Sequence, residues 1–581
     1  MNIIHSQYDE AIRQLNAGNL REAEQIATGA YMLDPDNQDV MHLLAIIRCE
    51  KGDLNNALEF INSSINITPY PQFFNTKGNI LVELGDNRAA EEAYFTALSL
   101  DPNQIESYSN ISILLRKIDR TDEAIFFCNK ALILSPNETG IINTLGLCHF
   151  DLNQFELAAS YFQKAINTSP TYIMAHLNIS RAWYSSGKVE MATQYLLALK
   201  EKYPDIYQVD TSLGNIYRGE GLYEKSISHY KNALLSDALN FDAHAGLGIC
   251  LLAIGKVNKA VPHFQSALTT KPKDRAVIVN LCSCFSCLQD YPRISALLKK
   301  HMPLENAVDN ADLHIYNAIF FWLSGDKNST QKYLSLSAHP PEENLPDERN
   351  NFTKAYCDYL NALCKTIDPK NKNGLKEIYF IGDSHTLANN RQLLNIKGEK
   401  YFSETRLIIG CKIWHLINPH ENEFKFSFKR AIESIPDNSA VAFNIGEIDC
   451  RENEGIILQL NDNESNLISI CKSMASQYVE YIRVTANSKN ISAYLLGIPA
   501  PIVIENTKLS DNQKKRIEII RHLNLSLKHC CERIDSIIFI NTYSITSDEN
   551  GQAKPGFHLD NVHLSQTSYQ LAFDNSIHFN S

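Results

Sequence analysis

Ile378-Tyr379-Phe380-Ile381-Gly382-Asp383-Ser384-His385 joins four apolar, β-prone residues to a glycine and then to a polar turn. A buried strand that stops at a glycine leaves the next side chains standing at its tip, which is where an exposed nucleophile sits. A second fragment, Asp560-Asn561-Val562-His563, sets an acid and a histidine three residues apart. Serine is a poor nucleophile until a neutral imidazole takes its proton and a carboxylate fixes the ring tautomer. Together the two fragments supply all three groups.

The surrounding sequence alternates short β-branched or aromatic runs with longer helical stretches. Strands are expected at Glu377–Ile381, Arg406–Ile409, Ala440–Asn444, Ile491–Leu496 and Ser536–Asn541, with crossover helices at Glu421–Ile435, Asn466–Ala486 and Asp511–Ile534. Such alternation predicts a parallel sheet covered by helices on both faces, with ligands bound beyond the carboxyl ends of the strands. Ser384, Gly410, Gly446 and Gly497 follow the first four strands, and His563 follows the fifth, so all gather at one edge.

In this order and setting the two fragments resemble the SGNH/GDSL hydrolase family, whose nucleophile lies in an early Gly-Asp-Ser segment and whose Asp-x-x-His lies near the domain's end. The resemblance spans roughly residues 376–575 and implies an α/β/α sandwich for the domain 376–581. It also implies that Ser384 is the nucleophile, His563 the general base and then acid, and Asp560 the group that orients His563. The expected activity is that of a serine-dependent O-acyl esterase, or of an O-acyltransferase if a sugar hydroxyl replaces water, acting on a small ester or acylated carbohydrate. Read without the family, the same residues also fit a turn followed by a helix N-cap at Ser565, with Asp560 a solvated loop residue. His385, beside the nucleophile, is a rival base.

The oxyanion segments depart from the family pattern. Gly410 is the natural amide donor of the second segment, but the third reads Gly446-Glu447-Ile448-Asp449-Cys450-Arg451, with Ile448 where the family has asparagine. One lost donor costs about two to three powers of ten in rate. Three readings stay open: a hole built from the amides of Ser384 and Gly410, a donor supplied by Asn444 or Arg451, or a degenerate domain. Arg451 equally fits a structural salt bridge to Glu447 or Asp449. Asn524 reads as a structural polar residue, and Cys450, Cys530 and Cys531 as core or helix thiols.

The first half of the chain repeats. Proline recurs at Pro35, Pro69, Pro102, Pro136, Pro170, Pro204 and Pro272, with Ala238 in the vacant step, at an interval of 34 residues and once 33. Twelve residues before each step stands Ala23, Ala57, Ala90, Ala124, Ala158, Ala192, Ser226 or Ala260. Seventeen before it stands Gly18, Gly52, Gly85, Asp119, Asn153, Gly187, Gly221 or Gly255. The Gly or Asx suits a left-handed turn, the small residue lets two helices approach, and the proline ends the second helix. Stretches such as Asp122-Glu123-Ala124-Ile125 and Lys130-Ala131-Leu132 resemble the tetratricopeptide repeat, through eight clear units. The resemblance implies a concave face that receives a protein or peptide, on which Asn110, Asn178 and Asn280 are candidate partner-binding residues. Asn is also simply frequent at that position of such repeats.

Divergent helix pairs, including Cys282 to Cys287 and Trp322 to Gly325, are expected to cap the array, which runs over residues 1–340. A linker with a helix from Phe352 to Ile367 then fills 341–375, opening on the proline-rich acidic stretch that starts at His339. The fold class is therefore multidomain, an all-α superhelix followed by an α/β/α sandwich. The 581 residues exceed what one core usually serves, and 44% apolar with 21% charged is ordinary soluble composition. A net charge of −12 argues against nucleic acid. No apolar run approaches a membrane span and no basic-then-apolar leader is present, so a cytoplasmic location with reduced thiols is expected. No phosphate loop, paired metal-binding histidines or dinucleotide fingerprint is seen, so no cofactor or metal is called for. The competing class is a non-catalytic tetratricopeptide interaction scaffold that keeps a degenerate hydrolase fold.

Overall fold

The computed structural model describes residues 2–301, 311–337, 347–372, 374–452, 455–459, 466–502, 509–560 and 562–577. They form two compact units, Met1–Ile216 and Tyr217–Ser581.

The first unit is helical throughout. Its helices alternate across turns in which Gly18, Gly52, Gly85, Asp119, Asn153 and Gly187 take φ between 59° and 83°, the left-handed region that glycine, Asn and Asp enter most cheaply. Ala23, Ala57, Ala90, Ala124, Ala158 and Ala192 are fully buried, because a larger side chain at the crossing would hold the paired helices apart. Second helices such as Thr121–Leu134 and Phe155–Thr168 stop two residues before Pro136 and Pro170. This is the repeat register expected from sequence.

The second unit continues the pattern through Tyr223–Ser236, Phe241–Ala253, Val257–Thr270, Arg275–Cys287 and Tyr291–His301, then builds a six-stranded sheet. The strands are β1 (Lys376–Gly382), β2 (Leu393–Ile396), β3 (Glu399–Leu407), β4 (Ala440–Asn444), β5 (Ser492–Leu496) and β6 (Ile537–Ile540), in the order β2-β3-β1-β4-β5-β6. The sheet is mixed and not purely parallel, because β2 runs antiparallel to β3. Lys397 and Gly398, with φ of 54° and 78°, make the two-residue hairpin between them. The strand expected at Arg406–Ile409 is the tail of β3, whose polar Ser403 and Thr405 are buried and hydrogen-bonded to backbone carbonyls.

Each sheet face has its own core. Tyr379, Ile381, Val441, Phe443 and Leu495 pack with Phe428, Tyr478, Ile519 and Leu523 of the helices Glu423–Glu433, Leu467–Lys489 and Asp511–Cys531. Ile378, Phe380, Ala442, Leu496 and Ile540 face the other way, onto Tyr569 and Phe573 of Gln566–Ile577. That second layer also contains the helices Ala311–Ser324, Lys327–Ser337 and Asp347–Thr366, through Ile319, Trp322, Leu334, Tyr359, Leu360 and Leu363. The segments that sequence assigns to capping repeats and linker thus complete the α/β/α sandwich. Trp322 is fully buried, its indole N–H donates to the Leu387 carbonyl at 3.0 Å, and its own carbonyl accepts from Asn390 at 2.8 Å. The stretch 339–346 lies outside the described residues.

At the carboxyl edge β1 and β4 approach closely. A Cβ on Gly382 would lie 2.0 Å from the Asn444 carbonyl oxygen, so only glycine fits. Among the described residues no helix is long and apolar enough to cross a membrane.

Candidate active site

The Asp383 carboxylate caps the short helix that follows β1, accepting from the His385 amide at 3.0 Å. This turn leaves Ser384 partly exposed between buried neighbours. The tail beyond β6 brings His563 to it: Ser384 Oγ and His563 Nε2 are 2.8 Å apart, across 179 residues of sequence. His563 Nδ1 lies 2.7 Å from Asp560 Oδ2. Asp560 Oδ1 also accepts the amides of Val562 and His563 at 2.8 and 2.6 Å, so the Asp-x-x-His spacing closes into one local turn. Asp560 is therefore not a solvated loop residue.

The electrostatics suit a proton acceptor. Burial holds the His563 imidazole below its ordinary pKa, against the opposing pull of Asp560. Burial works to raise Asp560, but its bonds to His563 prevail and hold it at about 2, a permanent carboxylate at neutral pH. Tyr359 stacks on His563 with ring centroids 3.8 Å apart and planes within 10°. Buried Tyr356, one turn earlier on the same helix, hydrogen-bonds Ser384. Sequence reading missed both tyrosines, because nothing local in Asp347–Thr366 reveals that it packs against a residue two hundred positions on.

The oxyanion candidates divide. The amides of Ser384 and Gly410 follow β1 and β3, adjacent strands joined at this edge by the Ile408 amide donating to the Gly382 carbonyl at 2.7 Å. Asn444 is buried and donates its side-chain amide to the Tyr569 hydroxyl at 2.9 Å. Arg451 sets Nε 2.9 Å and Nη2 2.8 Å from Glu447 Oε2, while Arg516 takes Glu447 Oε1 at 3.0 Å. Burial would raise Glu447, but Arg451, His385 and Arg516 outweigh it and hold the carboxyl at about 2. Asp449 meets a different partner: its carboxylate accepts the amides of Ile413 and Trp414 at 2.7 and 3.2 Å, and burial pushes it up to about 7. Ile448 is buried.

The remaining sequence candidates are structural in their contacts. Asn524 Nδ2 donates to the Ile498 and Ile520 carbonyls at 2.9 Å, and its Oδ1 accepts from the Ile498 amide at 2.8 Å. In the repeats, Asn110 donates to Asn75 at 3.0 Å and Asn79 at 3.1 Å, and Asn178 donates to Asn143 at 2.9 Å. These amides tie neighbouring first helices together. Asn280, in the second unit, bonds back to Ala276 of its own helix at 2.8 Å. Cys284 is pushed up to about 12 by burial, and among the described residues no group of three His, Cys, Asp or Glu could hold a metal ion.

Comparison with known proteins falls on the repeats. Tetratricopeptide repeat models match residues 71–104, 105–138 and 140–172, and a further one matches 211–275. The chain is similar to a BBSome complex member, BBS4, of Bos taurus, at 23% identity over 35% of this chain and 38% of that protein. It is also similar to the TPR repeat-containing protein YpiA of Bacillus subtilis, at 24% identity over 27% of this chain and 37% of that one. Less than half the length of either relative is spanned. A tetratricopeptide repeat protein of Parabacteroides merdae is similar at 18% identity, covering 42% of this chain and 97% of that one with a TM-score of 0.38. The N-terminal half of the chain is a tetratricopeptide repeat array.

Proposed function

We propose that the chain is a serine-dependent O-acyl esterase, or an O-acyltransferase using the same site, whose repeat array recruits a protein partner or positions a bulky acceptor. The observation that carries the reading is the continuous relay of Ser384, His563 and Asp560 at 2.8 and 2.7 Å. Ser384 Oγ attacks the ester carbonyl while His563 Nε2 takes its proton, and Asp560 holds the Nδ1–H and steadies the imidazolium that forms. His563 then gives the proton to the leaving alkoxide, so an alcohol departs and an acyl-serine remains. Water, or a sugar hydroxyl, repeats the cycle and frees Ser384. The amides of Ser384 and Gly410 are the oxyanion donors this reading favours, since Asn444 and the Arg451 fork are engaged elsewhere.

An SGNH-like identity for the sandwich belongs to this proposal, as do an ester or acylated carbohydrate substrate and a cytoplasmic site of action. Fluorophosphonate labelling tests it. Wild type should label at Ser384 and hydrolyse p-nitrophenyl acetate, and Ser384→Ala should lose both with an unchanged melting point; equal hydrolysis by the two proteins would refute it.

A second reading, an interaction scaffold with an inert sandwich, is favoured by the comparisons, which fall on the repeats, and by Ile448 in place of an asparagine donor. A relative named as a complex member supports protein partners for the array under either reading.

A further inference from the structure

The histidine next to the nucleophile does not compete for it. His385 is 1% exposed; its Nδ1 lies 3.1 Å from Asp383 Oδ1 and its Nε2 3.3 Å from the Val562 carbonyl oxygen. A carboxylate and a carbonyl only accept, so a ring that serves both carries a hydrogen on each nitrogen and is a cation. The ring links the two fragments on which the site depends. Asp383 caps the nucleophile turn, and Val562 immediately precedes His563. The Tyr569 hydroxyl, from the last helix, donates to the His385 carbonyl at 3.1 Å and fixes that end as well.

We propose that His385 is a positioning residue: charged and clamped between Asp383 and the Val562 carbonyl, it holds the loop bearing Asp560 and His563 in register with Ser384. The proposal rests on the hydrolase reading above. The clamp has an electrostatic side. The His385 and His563 rings are 4.7 Å apart, and a cation there disfavours protonation of His563, so the base stays neutral and ready. Asp383 on its own turn and Glu447 beyond β4 favour the charge on His385, whereas Arg451 opposes it. His558, which faces the same cluster from the tail, is pushed down to about 4 chiefly by burial and is neutral. Burial alone would lower His385, yet the net shift is upward.

The test uses full-length protein and a fluorophosphonate probe, with labelling rates followed across pH. His385→Ala removes both contacts and should slow labelling at neutral pH by about ten- to a hundred-fold, the scale of a small misplacement of catalytic groups. His385→Gln keeps an amide donor toward Val562 without the charge. It should regain part of the rate while the midpoint of the pH–rate curve moves up, because His563 loses a neighbouring cation. A purely structural role would leave the midpoint in place. If both variants label like wild type with the same midpoint, the inference is overturned and the hydrolase reading stands. If wild type itself does not label, the hydrolase reading fails and takes the inference with it. Ring-nitrogen NMR of wild type gives an answer that does not depend on the variants folding: His385 should be doubly protonated at neutral pH, and a neutral ring would overturn the clamp.

Discussion

Replacing Arg451 by alanine separates two roles for one guanidinium. In the structure Arg451 gives two hydrogen bonds to Glu447 Oε2, and Glu447 is buried with only 6% exposure. Removing a partner from a buried, hydrogen-bonded ion pair costs about 2–5 kcal/mol, most of it from the charge left behind. Arg516 remains on Oε1, so the low end applies, about 2 kcal/mol. In a unit of this size, Tyr217–Ser581, that lowers the melting point by about 2–3 °C. The effect depends on pH with a definite sign. Glu447 is held at about 2 when folded, below its ordinary value of about 4.3, so its stabilisation is complete above that ordinary value. It fades as pH falls toward 2, and the gap between wild type and Arg451→Ala should narrow over that window. The assays are differential scanning calorimetry at pH 7 and pH 3 and fluorophosphonate labelling at pH 7. An unchanged melting point with a hundred-fold fall in labelling would refute the ion-pair reasoning and return Arg451 to the oxyanion.

Gly382→Ala should abolish cooperative melting of the second unit, because its Cβ would sit 2.0 Å from the Asn444 carbonyl oxygen; a melting point within a degree of wild type would contradict this contact. Asn178→Ala leaves the buried Asn143 Oδ1 without its donor and should cost the first unit about 1–2 kcal/mol in a urea titration, whereas Asn280→Ala, which removes one bond within a helix, should stay within about 0.5 kcal/mol. A fragment of residues 370–581 omits Trp322, Tyr359, Leu360 and Leu363, all fully buried against the sheet's second face. Their burial is worth about 1.5–3 kcal/mol each, a sum comparable with a whole domain's stability, so this fragment should aggregate or melt without cooperativity while 217–581 melts cooperatively.

What could be read from the sequence is what short-range chemistry encodes. The turn glycines, the crossing alanines and the helix-ending prolines each act within one repeat, so the array was legible residue by residue. β1, β4, β5 and β6 were legible as apolar runs. β3 was read late because Ser403, Glu404 and Thr405 interrupt its apolar pattern, and β2 was missed because the Lys397-Gly398 turn is a weak hairpin signal beside a polar strand. Asp560 and His563 were legible because three residues suffice to close their turn. The helices from Ala311 to Thr366 were misplaced for the opposite reason: their apolar faces fit a repeat or a sheet equally well, and only long-range packing decides between them. Arg451 was open between two roles until Glu447 and Arg516 were seen around it.

The separation of 179 positions between Ser384 and His563 also sets an order in time. At about 5–20 residues per second, a ribosome that has just made the serine needs roughly 10–35 s to reach its histidine. Helical hairpins close on local contacts in well under a second, so the repeats are folded long before the relay can assemble. A nascent chain therefore passes through an interval in which the array is folded while Ser384 and His563 are still apart. During synthesis, the array is complete tens of seconds before these two side chains can meet.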